Sequence, residues 1–460
     1  MKRYLFVILT FCTIMLNGCG CMDGEWGFID KEGNVVVDFK YDGVRSYSNG
    51  VAVVIKENKV GLVDYNGREI LKPSFSDISD FQGEYSYFVI RREIDGRISE
   101  SYGFINNKGK VVTEPRYGYV KFVYKDVAAV KKGSDSKYFL LKIVGEQRLT
   151  DEIFDDINYF SEDRAVFKSG EKFGVINMSG NKIVDAIYDE IRDYRNGYAI
   201  AKIGKKFGLL DKDGKVVLDF VYNDIVGLKN NYVTFNTRGK YGIMELKSKN
   251  IVIEPKFDML SLLSDSFATF CNGNCIKCDG SSCDIDTRAY EFGREMYIGD
   301  EVGYVNLKNE IFVMKDVNMA SVFSNQRAVL CQWKYSYNQI SCYLIDEGLN
   351  KVGSEFYKVI REFYDERAAV CNECNYGYGE YYFIDLLGNK INDKAYFQVK
   401  DFSDGLAAVE RDQVGLTSWG FINKNGEMVI DDEYNKVKPF REGRAAVCKG
   451  LCERLGGGHY

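Results

Sequence analysis

The residues with the greatest chemical potential are cysteines, and they are concentrated in the second half of the chain. The sequence contains 13 cysteines, with none between Cys21 and Cys271. Ten lie in the C-terminal half: Cys271, Cys275, Cys278, Cys283, Cys331, Cys342, Cys371, Cys374, Cys448 and Cys452. The C-x-x-C spacing occurs twice within this set, and it suits a zinc site or a redox centre. An even set in an exported chain equally suits disulfides.

The position of these cysteines favours disulfides over the other two chemistries. Cys271, Cys331, Cys371 and Cys448 each directly follow a short apolar segment, and each has a second cysteine shortly after it. The predicted pairs are Cys271–Cys275, Cys278–Cys283, Cys331–Cys342, Cys371–Cys374 and Cys448–Cys452. No C-x-x-C motif begins a helix in a βαβ pattern, which weakens the redox alternative. The sequence therefore predicts disulfides, with no metal site and no cofactor.

The other candidate groups for chemistry favour structural roles. The only histidine is His459, near the C-terminus, which argues against a Ser-His-Asp triad or a histidine-rich metal centre. Aspartate recurs at one turn position, where asparagine often replaces it: Asp30, Asp64, Asp211, Asp346 and Asp385, with Asn106, Asn177, Asn306 and Asn423. A row of carboxylates could bind calcium or sugar, but the exchange with asparagine favours turn capping. We predict no catalytic residue.

These turns belong to a sequence repeat that runs along most of the chain. Its clearest copies begin at Trp26-Gly27-Phe28-Ile29-Asp30 and at Trp419-Gly420-Phe421-Ile422-Asn423. The glycine that follows the aromatic residue recurs at Gly27, Gly61, Gly103, Gly174, Gly208, Gly242, Gly303 and Gly420. Several intervals are 34 residues, such as the one from Gly174 to Gly208. With three degenerate copies the pattern gives about eleven units, a period typical of stacked or radial repeat proteins.

Each unit predicts three short antiparallel strands. Gly27 to Asp30 forms the first strand, and a turn ending at Gly33 leads to a return strand over 34–37. An aromatic residue such as Tyr41 follows, and later a strand of small and β-branched residues such as 51–54. The alanines that recur in this last strand leave room for an aromatic ring of the neighbouring unit.

The pattern resembles the WG (or KWG) repeat family of bacterial proteins, whose motif runs roughly W-G-F-I-D-x-x-G-x-x-V-I-x-P-x-Y-D, followed by E-G-L-A-x-V. The resemblance covers residues 26–448, although tryptophan is kept only at Trp26 and Trp419. It implies a structural repeat more than an activity, because functions in this family are largely unassigned. Trp26, Gly27, Gly61, Gly103, Gly174, Gly208, Gly242, Trp419 and Gly420 are accordingly expected to be structural positions.

The fold class expected from this pattern is all-β. Aromatic residues make up 14% of the chain, and only 4 residues are proline. Three strands are few for a propeller blade, and about eleven units would overfill one ring. We therefore expect an open superhelical array, with closure into propeller-like blocks as the alternative. The expected divisions are a signal peptide (1–18), a tether (19–25), two repeat blocks (26–271 and 302–448), an irregular cysteine-rich insertion (272–301) and a tail (449–460).

The N-terminus predicts export. Lys2 and Arg3 precede an apolar run that is too short to span a membrane. The next segment, Leu16-Asn17-Gly18-Cys19, resembles the lipobox of bacterial lipoproteins, which implies that Cys19 carries lipid and becomes the mature N-terminus. Gly20 follows it, which favours the outer membrane if the host has two membranes.

These observations predict a non-catalytic, lipid-anchored protein of the bacterial cell envelope. Its repeat array would serve as a scaffold that binds a protein, a peptide or a glycan. The net charge of −6 and the lack of a long basic run disfavour nucleic acid as a partner. The alternatives are a hydrolase acting on cell-wall or other glycans, and a structural spacer with a cysteine-based metal or redox site.

Overall fold

The computed structural model describes residues 24–133, 135–264, 266–278, 295–334, 339–375, 378–411 and 418–452. Every regular element among them is a β-strand, and the strands form eleven antiparallel sheets. No helix in these segments is long and apolar enough to cross a membrane. The signal peptide, Cys19, Cys283 and His459 lie outside the described residues.

We number the sheets as blades in chain order. The strands are, in blade 1, Gly43–Val44, Val51–Lys56, Lys59–Asp64 and Glu69–Phe75; blade 2, Asp77–Ile78, Tyr85–Ile94, Arg97–Asn106 and Val111–Tyr117; blade 3, Tyr119–Tyr124, Val127–Lys131, Phe139–Lys142 and Gln147–Arg148; blade 4, Asp156–Ile157, Arg164–Ser169, Lys172–Asn177 and Lys182–Tyr188; blade 5, Glu190–Ile191, Tyr198–Ile203, Lys206–Asp211 and Val216–Tyr222; blade 6, Asp224–Lys229, Tyr232–Thr237, Lys240–Glu245 and Ile251–Phe257.

The remaining strands are, in blade 7, Met259–Leu260, Phe267–Asn272, Glu301–Asn306 and Ile311–Val313; blade 8, Ile276–Cys278, Met296–Ile298, Met319–Ser321, Ala328–Lys334, Gln339–Ile345 and Lys351–Tyr357; blade 9, Val359–Ile360, Ala368–Asn375 and Tyr378–Ile384; blade 10, Gln398–Val399, Leu406–Arg411, Ser418–Asn423 and Met428–Tyr434; blade 11, Lys436–Val437, Ala445–Lys449, Glu25–Ile29 and Val35–Tyr41.

The repeat unit has four strands, where the sequence pattern indicated three. The missed strand is the first of each blade, and in blade 1 it is only Gly43–Val44. Two buried residues carry no periodic signal that a sequence pattern can reveal. The second and third strands are buried along most of their length, whereas the fourth alternates exposed and buried residues, as an outer strand does.

The glycine of the aromatic-Gly pair is required by a bulge between the third and fourth strands. In blade 11 the pairing shifts between Trp26 and Phe28. A Cβ on Gly27 would lie 2.5 Å from the carbonyl oxygen of Val37, which is closer than real Cβ atoms approach. Gly420 has the same relation to the oxygen of Ile430, at 2.6 Å. Only glycine permits this close approach.

The ring is closed by strand pairing between the two ends of the described chain. Glu25–Ile29 pairs antiparallel with Ala445–Lys449 within blade 11. Lys438 Nζ donates to the carbonyl oxygen of Val44 in blade 1 at 3.0 Å, and burial lowers the pKa of this amine. The all-β repeat architecture is therefore confirmed. The expected open superhelical array is wrong and its alternative, closure, is what the structure shows: Glu25–Ile29 completes the blade of Ala445–Lys449, which gives an eleven-bladed β-propeller.

Most of the core lies between neighbouring blades and is marked by one recurrent ring. We call its place, three residues after the first strand of most blades, the inner aromatic position. Eight blades carry a buried aromatic residue there: Tyr47, Phe81, Phe160, Tyr194, Phe323, Phe363, Phe402 and Phe440. Tyr47 packs edge-on against Phe28 of blade 11 with ring centroids 4.9 Å apart. Such contacts join each blade to its neighbour.

The turns between the first and second strands also join neighbouring blades. A carboxylate on one turn accepts a backbone N–H from the turn of the next blade, which satisfies an amide that has no partner in the sheet. The pairs are Glu162 with Gly197, Asp365 with Gly405, Asp404 with Gly443, and Glu442 with Gly50. The last pair runs from blade 11 to blade 1 and so continues this pattern across the closure.

Blade 8 differs from the others because residues 276–298 add two strands to it. Met296–Ile298 pairs with Met319–Ser321, the first strand of the blade, and Ile276–Cys278 pairs with Met296–Ile298 in turn. The described part of the interval 272–301, expected as irregular, thus extends a sheet at its inner edge. The two expected repeat blocks contribute to one ring.

Candidate functional site

The tryptophans and glycines of the repeat lie in the core. Trp26 and Trp419 are 8% and 6% exposed, and each pairs across the sheet with the tyrosine that ends the fourth strand of its blade, Tyr41 and Tyr434. The glycines sit at the bulges described above. These residues shape the blades and are not accessible to a ligand.

The recurrent aspartates and asparagines cap turns. Asp30 Oδ1 accepts the backbone N–H groups of Glu32 at 3.1 Å and Asn34 at 2.8 Å. The same contact with the amide four residues on is made by Asp64, Asn106, Asn177, Asp211, Asn306, Asp346, Asp385 and Asn423. Because an amide oxygen serves as well as a carboxylate, aspartate and asparagine interchange freely.

Three of the predicted disulfides are present. Cys271–Cys275 and Cys448–Cys452 each tie a second strand to the loop that follows it, and Cys331–Cys342 joins the second and third strands of blade 8. Cys278 is also disulfide-bonded, and its predicted partner, Cys283, lies outside the described residues. These bonds close short loops, so they hold local geometry more than they reduce chain entropy.

The predicted Cys371–Cys374 disulfide is wrong, because both residues are buried free thiols. They lie on one strand of blade 9, and three residues of extended chain span about 10 Å, longer than the Cα separation in a disulfide. A bulge between them brings the thiols together, and their hydrogen bond, followed by burial, raises the pKa of Cys371. Buried thiols of this kind behave as structural residues.

The cysteines do not form a zinc site in the described part of the chain. No three His, Cys, Asp or Glu side chains there come together in a way that could hold a metal ion. Cys275 lies in the loop after the second strand of blade 7 and is engaged in a disulfide, whereas Cys371 lies on a strand of blade 9.

A cavity of about 580 Å³ lies beside the first hairpin of blade 6. Its apolar lining comes from Ile200 and Leu209 of blade 5, Leu228 of blade 6 and Leu262 of blade 7. Leu209 is buried, whereas the other three are half-buried and border the open space. The volume falls within the range of small-ligand sites.

The cavity exists because blade 6 departs from the repeat. Its first strand and that of blade 3 are six residues long and lead into the second strand through a tight hairpin. Neither has an aromatic residue at the inner aromatic position, which is Val123 in blade 3 and Leu228 in blade 6. Blade 3 places Phe122 beside it, whereas blade 6 has Gly227 at the matching place.

Phe122 and Gly227 make different contacts with the blade that follows. Phe122 is 1% exposed and packs on blade 4, with ring centroids 5.1 Å from Tyr159 and 5.8 Å from Phe160. A Cβ built on Gly227 would lie 3.2 Å from Leu262 of blade 7. Leu262 therefore lies directly against Gly227, and both residues border the cavity.

The polar rim of the cavity is held by contacts between blades. Arg192 donates to the carbonyl oxygen of Ile225 at 2.9 Å and is paired with Asp224 and Glu190. Asn158 donates to Asp193 at 2.9 Å, and Asn196 donates to the carbonyl oxygen of Leu228 at 2.9 Å. These groups are fixed before any ligand arrives.

Two cations at the rim have no such engagement. Arg195 is exposed and Lys229 is half-buried, and neither forms an ion pair with the residues that the structure describes. Both border the cavity. The sequence analysis missed this site because the 34-residue spacing of blade 6 is regular. The feature that could have indicated the cavity is the absence of an aromatic residue at Leu228, next to Gly227.

A comparison with protein-family models identifies the repeat. The model described as "WG containing repeat" matches residues 26–59, 61–91, 102–138, 173–207, 207–241 and 419–450. The chain is a WG-repeat protein. In this WG-repeat protein the matched copies cover blades 1, 2, 5 and 11 most fully, and the predicted family resemblance is confirmed.

Among solved structures the WG-repeat protein is similar to a eukaryotic initiation factor (10% identity, covering 93% of this chain and 98% of that one, TM-score 0.39). It is also similar to Hsv2 of Kluyveromyces lactis (12%, 58% and 96%, TM-score 0.27). A third is PorZ, a surface component of the type-IX secretion system of Porphyromonas gingivalis (9%, 90% and 62%, TM-score 0.23). At these TM-scores the similarities carry no argument about function. No curated protein matches the sequence.

Proposed function

We propose that this WG-repeat protein is a non-catalytic, lipid-anchored protein of the bacterial cell envelope that binds a protein, peptide or glycan partner. The β-propeller is a rigid scaffold of similar blades, which suits an interaction role. The observation that carries the proposal is the cavity at blade 6, a preformed site with an apolar lining and a polar rim.

Two features support the location in the envelope. The lipobox-like segment that ends at Cys19 is followed by a chain with disulfides at Cys271–Cys275, Cys331–Cys342 and Cys448–Cys452. Disulfides persist in oxidising compartments and are rare in the cytosol. A lipid anchor on Cys19 would place the propeller at a membrane surface.

The location is tested by expressing the tagged full-length chain with Cys19→Ala, and with Cys21→Ala as the matched control. We expect the wild-type chain and the Cys21→Ala variant to incorporate radiolabelled fatty acid and to sediment with membranes. The Cys19→Ala variant should do neither. Label that persists in Cys19→Ala, or is absent from the wild type, would contradict lipidation at Cys19.

The binding role is tested by capturing partners from a cell-envelope extract with the full-length chain, with identification by mass spectrometry and glycan analysis. A partner that is retained by the wild type in proportion to its concentration supports the proposal. No saturable partner in the extract would overturn it.

A further inference from the structure

We propose that the cavity at blade 6 binds a peptide segment in which an apolar side chain stands next to a carboxylate. This inference rests on the proposed binding function and names the class of ligand. Its starting point is the contrast between the two parts of the cavity, an aliphatic base and a cationic rim.

The base fits an apolar side chain. Ile200, Leu228 and Leu262 are half-buried around a space beside the inner aromatic position, where eight other blades carry an aromatic ring and blade 6 has Leu228. A ligand side chain that enters this space removes both its own surface and theirs from water, at about 25 cal/mol for each Å². A ligand side chain in this space would therefore occupy the place of the aromatic ring that blade 6 lacks.

The rim fits an anion. Arg195 lies on the turn of blade 5 and Lys229 at the end of the first strand of blade 6, so the two cations belong to different blades that border one opening. Arg192 is already paired with Asp224 and Glu190, and Asp193 already accepts a hydrogen bond from Asn158. Arg195 and Lys229 are thus the cations available to a carboxylate.

The charge of the whole chain sharpens this assignment. The lining of the cavity holds Arg192, Arg195 and Lys229 against one carboxylate, Asp193, so the opening is locally positive on a chain whose net charge is −6. A locally positive opening attracts an anionic group. A glycan partner is less suited, because the lining offers only Tyr198 as an aromatic surface for a sugar ring.

The test is calorimetric titration of the full-length chain with short peptides whose ends are blocked. The probe is acetyl-Gly-Ser-Phe-Asp-Ser-Gly-amide; its twins replace Asp by Asn or Phe by Ala. A fourth peptide, acetyl-Gly-Ser-Gly-Phe with a free C-terminus, distinguishes a terminal carboxylate from a side-chain carboxylate. We expect saturable binding of the Phe-Asp probe or of the free-carboxylate peptide below about 1 mM, and at least about tenfold weaker binding of both twins.

Protein variants place the binding at the cavity. Arg195→Glu and Lys229→Glu should each weaken binding about tenfold or more, whereas Arg441→Glu, an exposed arginine at the same turn position in blade 11, should leave it unchanged. Leu228→Phe supplies the ring that eight other blades carry and should abolish binding by filling the space. Circular dichroism checks that each variant is folded, and the exposed Arg195 can be reversed without disturbing the core.

The inference is overturned by any of three results. These are saturable binding of the acidic probe that its Asn twin equals, unchanged binding by Arg195→Glu, and no saturable binding of any peptide up to about 1 mM. If the wild type and Arg195→Glu both capture the same envelope partner, the proposed function stands and the ligand assignment fails. If the wild type captures no partner at all, the proposed function fails as well.

Discussion

Blades 3 and 6 share a construction that the other nine blades do not have, yet their first hairpins meet the next blade differently. Both begin with a six-residue strand that contains a bulge and ends in a tight hairpin. In blade 3, Phe122 packs its ring on Phe160 of blade 4; in blade 6, Gly227 has no side chain and borders the cavity. A single position in an otherwise matched pair therefore separates a hairpin packed on its neighbour by an aromatic ring from a hairpin that borders a cavity.

The comparison teaches where function can arise in a protein built from repeats. Residues at positions that repeat from unit to unit have structural roles, such as Gly27 at the bulge and Asp30 at the capped turn. A ligand site needs a place where a unit departs from these requirements and the ring still closes. Blade 6 meets both conditions.

The largest expected effect comes from removing the side chain that closes blade 3. Phe122→Ala should lower the free energy of unfolding by about 3–5 kcal/mol, because it leaves a cavity between blades 3 and 4. Urea denaturation of the full-length chain measures this loss. Leu228→Ala is the control in blade 6 and should cost less, since Leu228 already borders open space. Equal costs would show that the two blades are packed alike.

A smaller effect is expected from giving blade 6 the residue of blade 3. Gly227→Phe should destabilise the fold by about 1–3 kcal/mol, because the new ring must displace Leu262. The matched control is Gly227→Ala, which requires Leu262 to move by only a few tenths of an ångström. The combination with Leu262→Ala should recover part of the loss. Additive effects of the two substitutions would contradict a direct contact between them.

The smallest effect is expected at the rim of blade 3. Tyr159 is 52% exposed and its ring lies 5.1 Å from that of Phe122. Tyr159→Leu should therefore lower the free energy of unfolding by about 0.5–1.5 kcal/mol. A double-mutant cycle with Phe122→Leu measures the coupling between the two rings. No coupling would mean that Phe122 is held by its own blade alone.

The state of the cysteines gives an independent check on how the second half of the ring is held. Alkylation of the unfolded, unreduced chain followed by peptide mass spectrometry should label Cys371 and Cys374. Cys331, Cys342, Cys448 and Cys452 should remain unlabelled because they are disulfide-bonded. Labelling of Cys448, or protection of Cys371, would contradict the assignment.

Much of the fold could be predicted from local sequence. The capped turn at Asp30, the glycine at Gly27 and the alternation of the outer strand each depend on residues close in sequence. The number of units followed from their recurrence. The two-residue first strand Gly43–Val44 escaped, because a strand this short has no periodicity.

Closure and the cavity depend on contacts that no local pattern contains. The pairing of Glu25–Ile29 with Ala445–Lys449 joins opposite ends of the sequence, so an open and a closed array have the same repeat. The cavity needs Leu209, Leu228 and Leu262 from three blades to meet beside Gly227. The sequence could have indicated this place only as a missing aromatic residue at Leu228.

The assignment of the site to blade 6 is tested most directly by hydrogen exchange of the full-length chain with and without the Phe-Asp peptide. We expect slower exchange on binding in the first hairpin of blade 6, residues 224–232, and in the turn at 193–198 of blade 5. The first hairpin of blade 3, residues 119–127, should be unchanged. Protection of the blade 3 hairpin, or equal protection of the turns around the ring, would contradict a site created by Gly227 and Leu228.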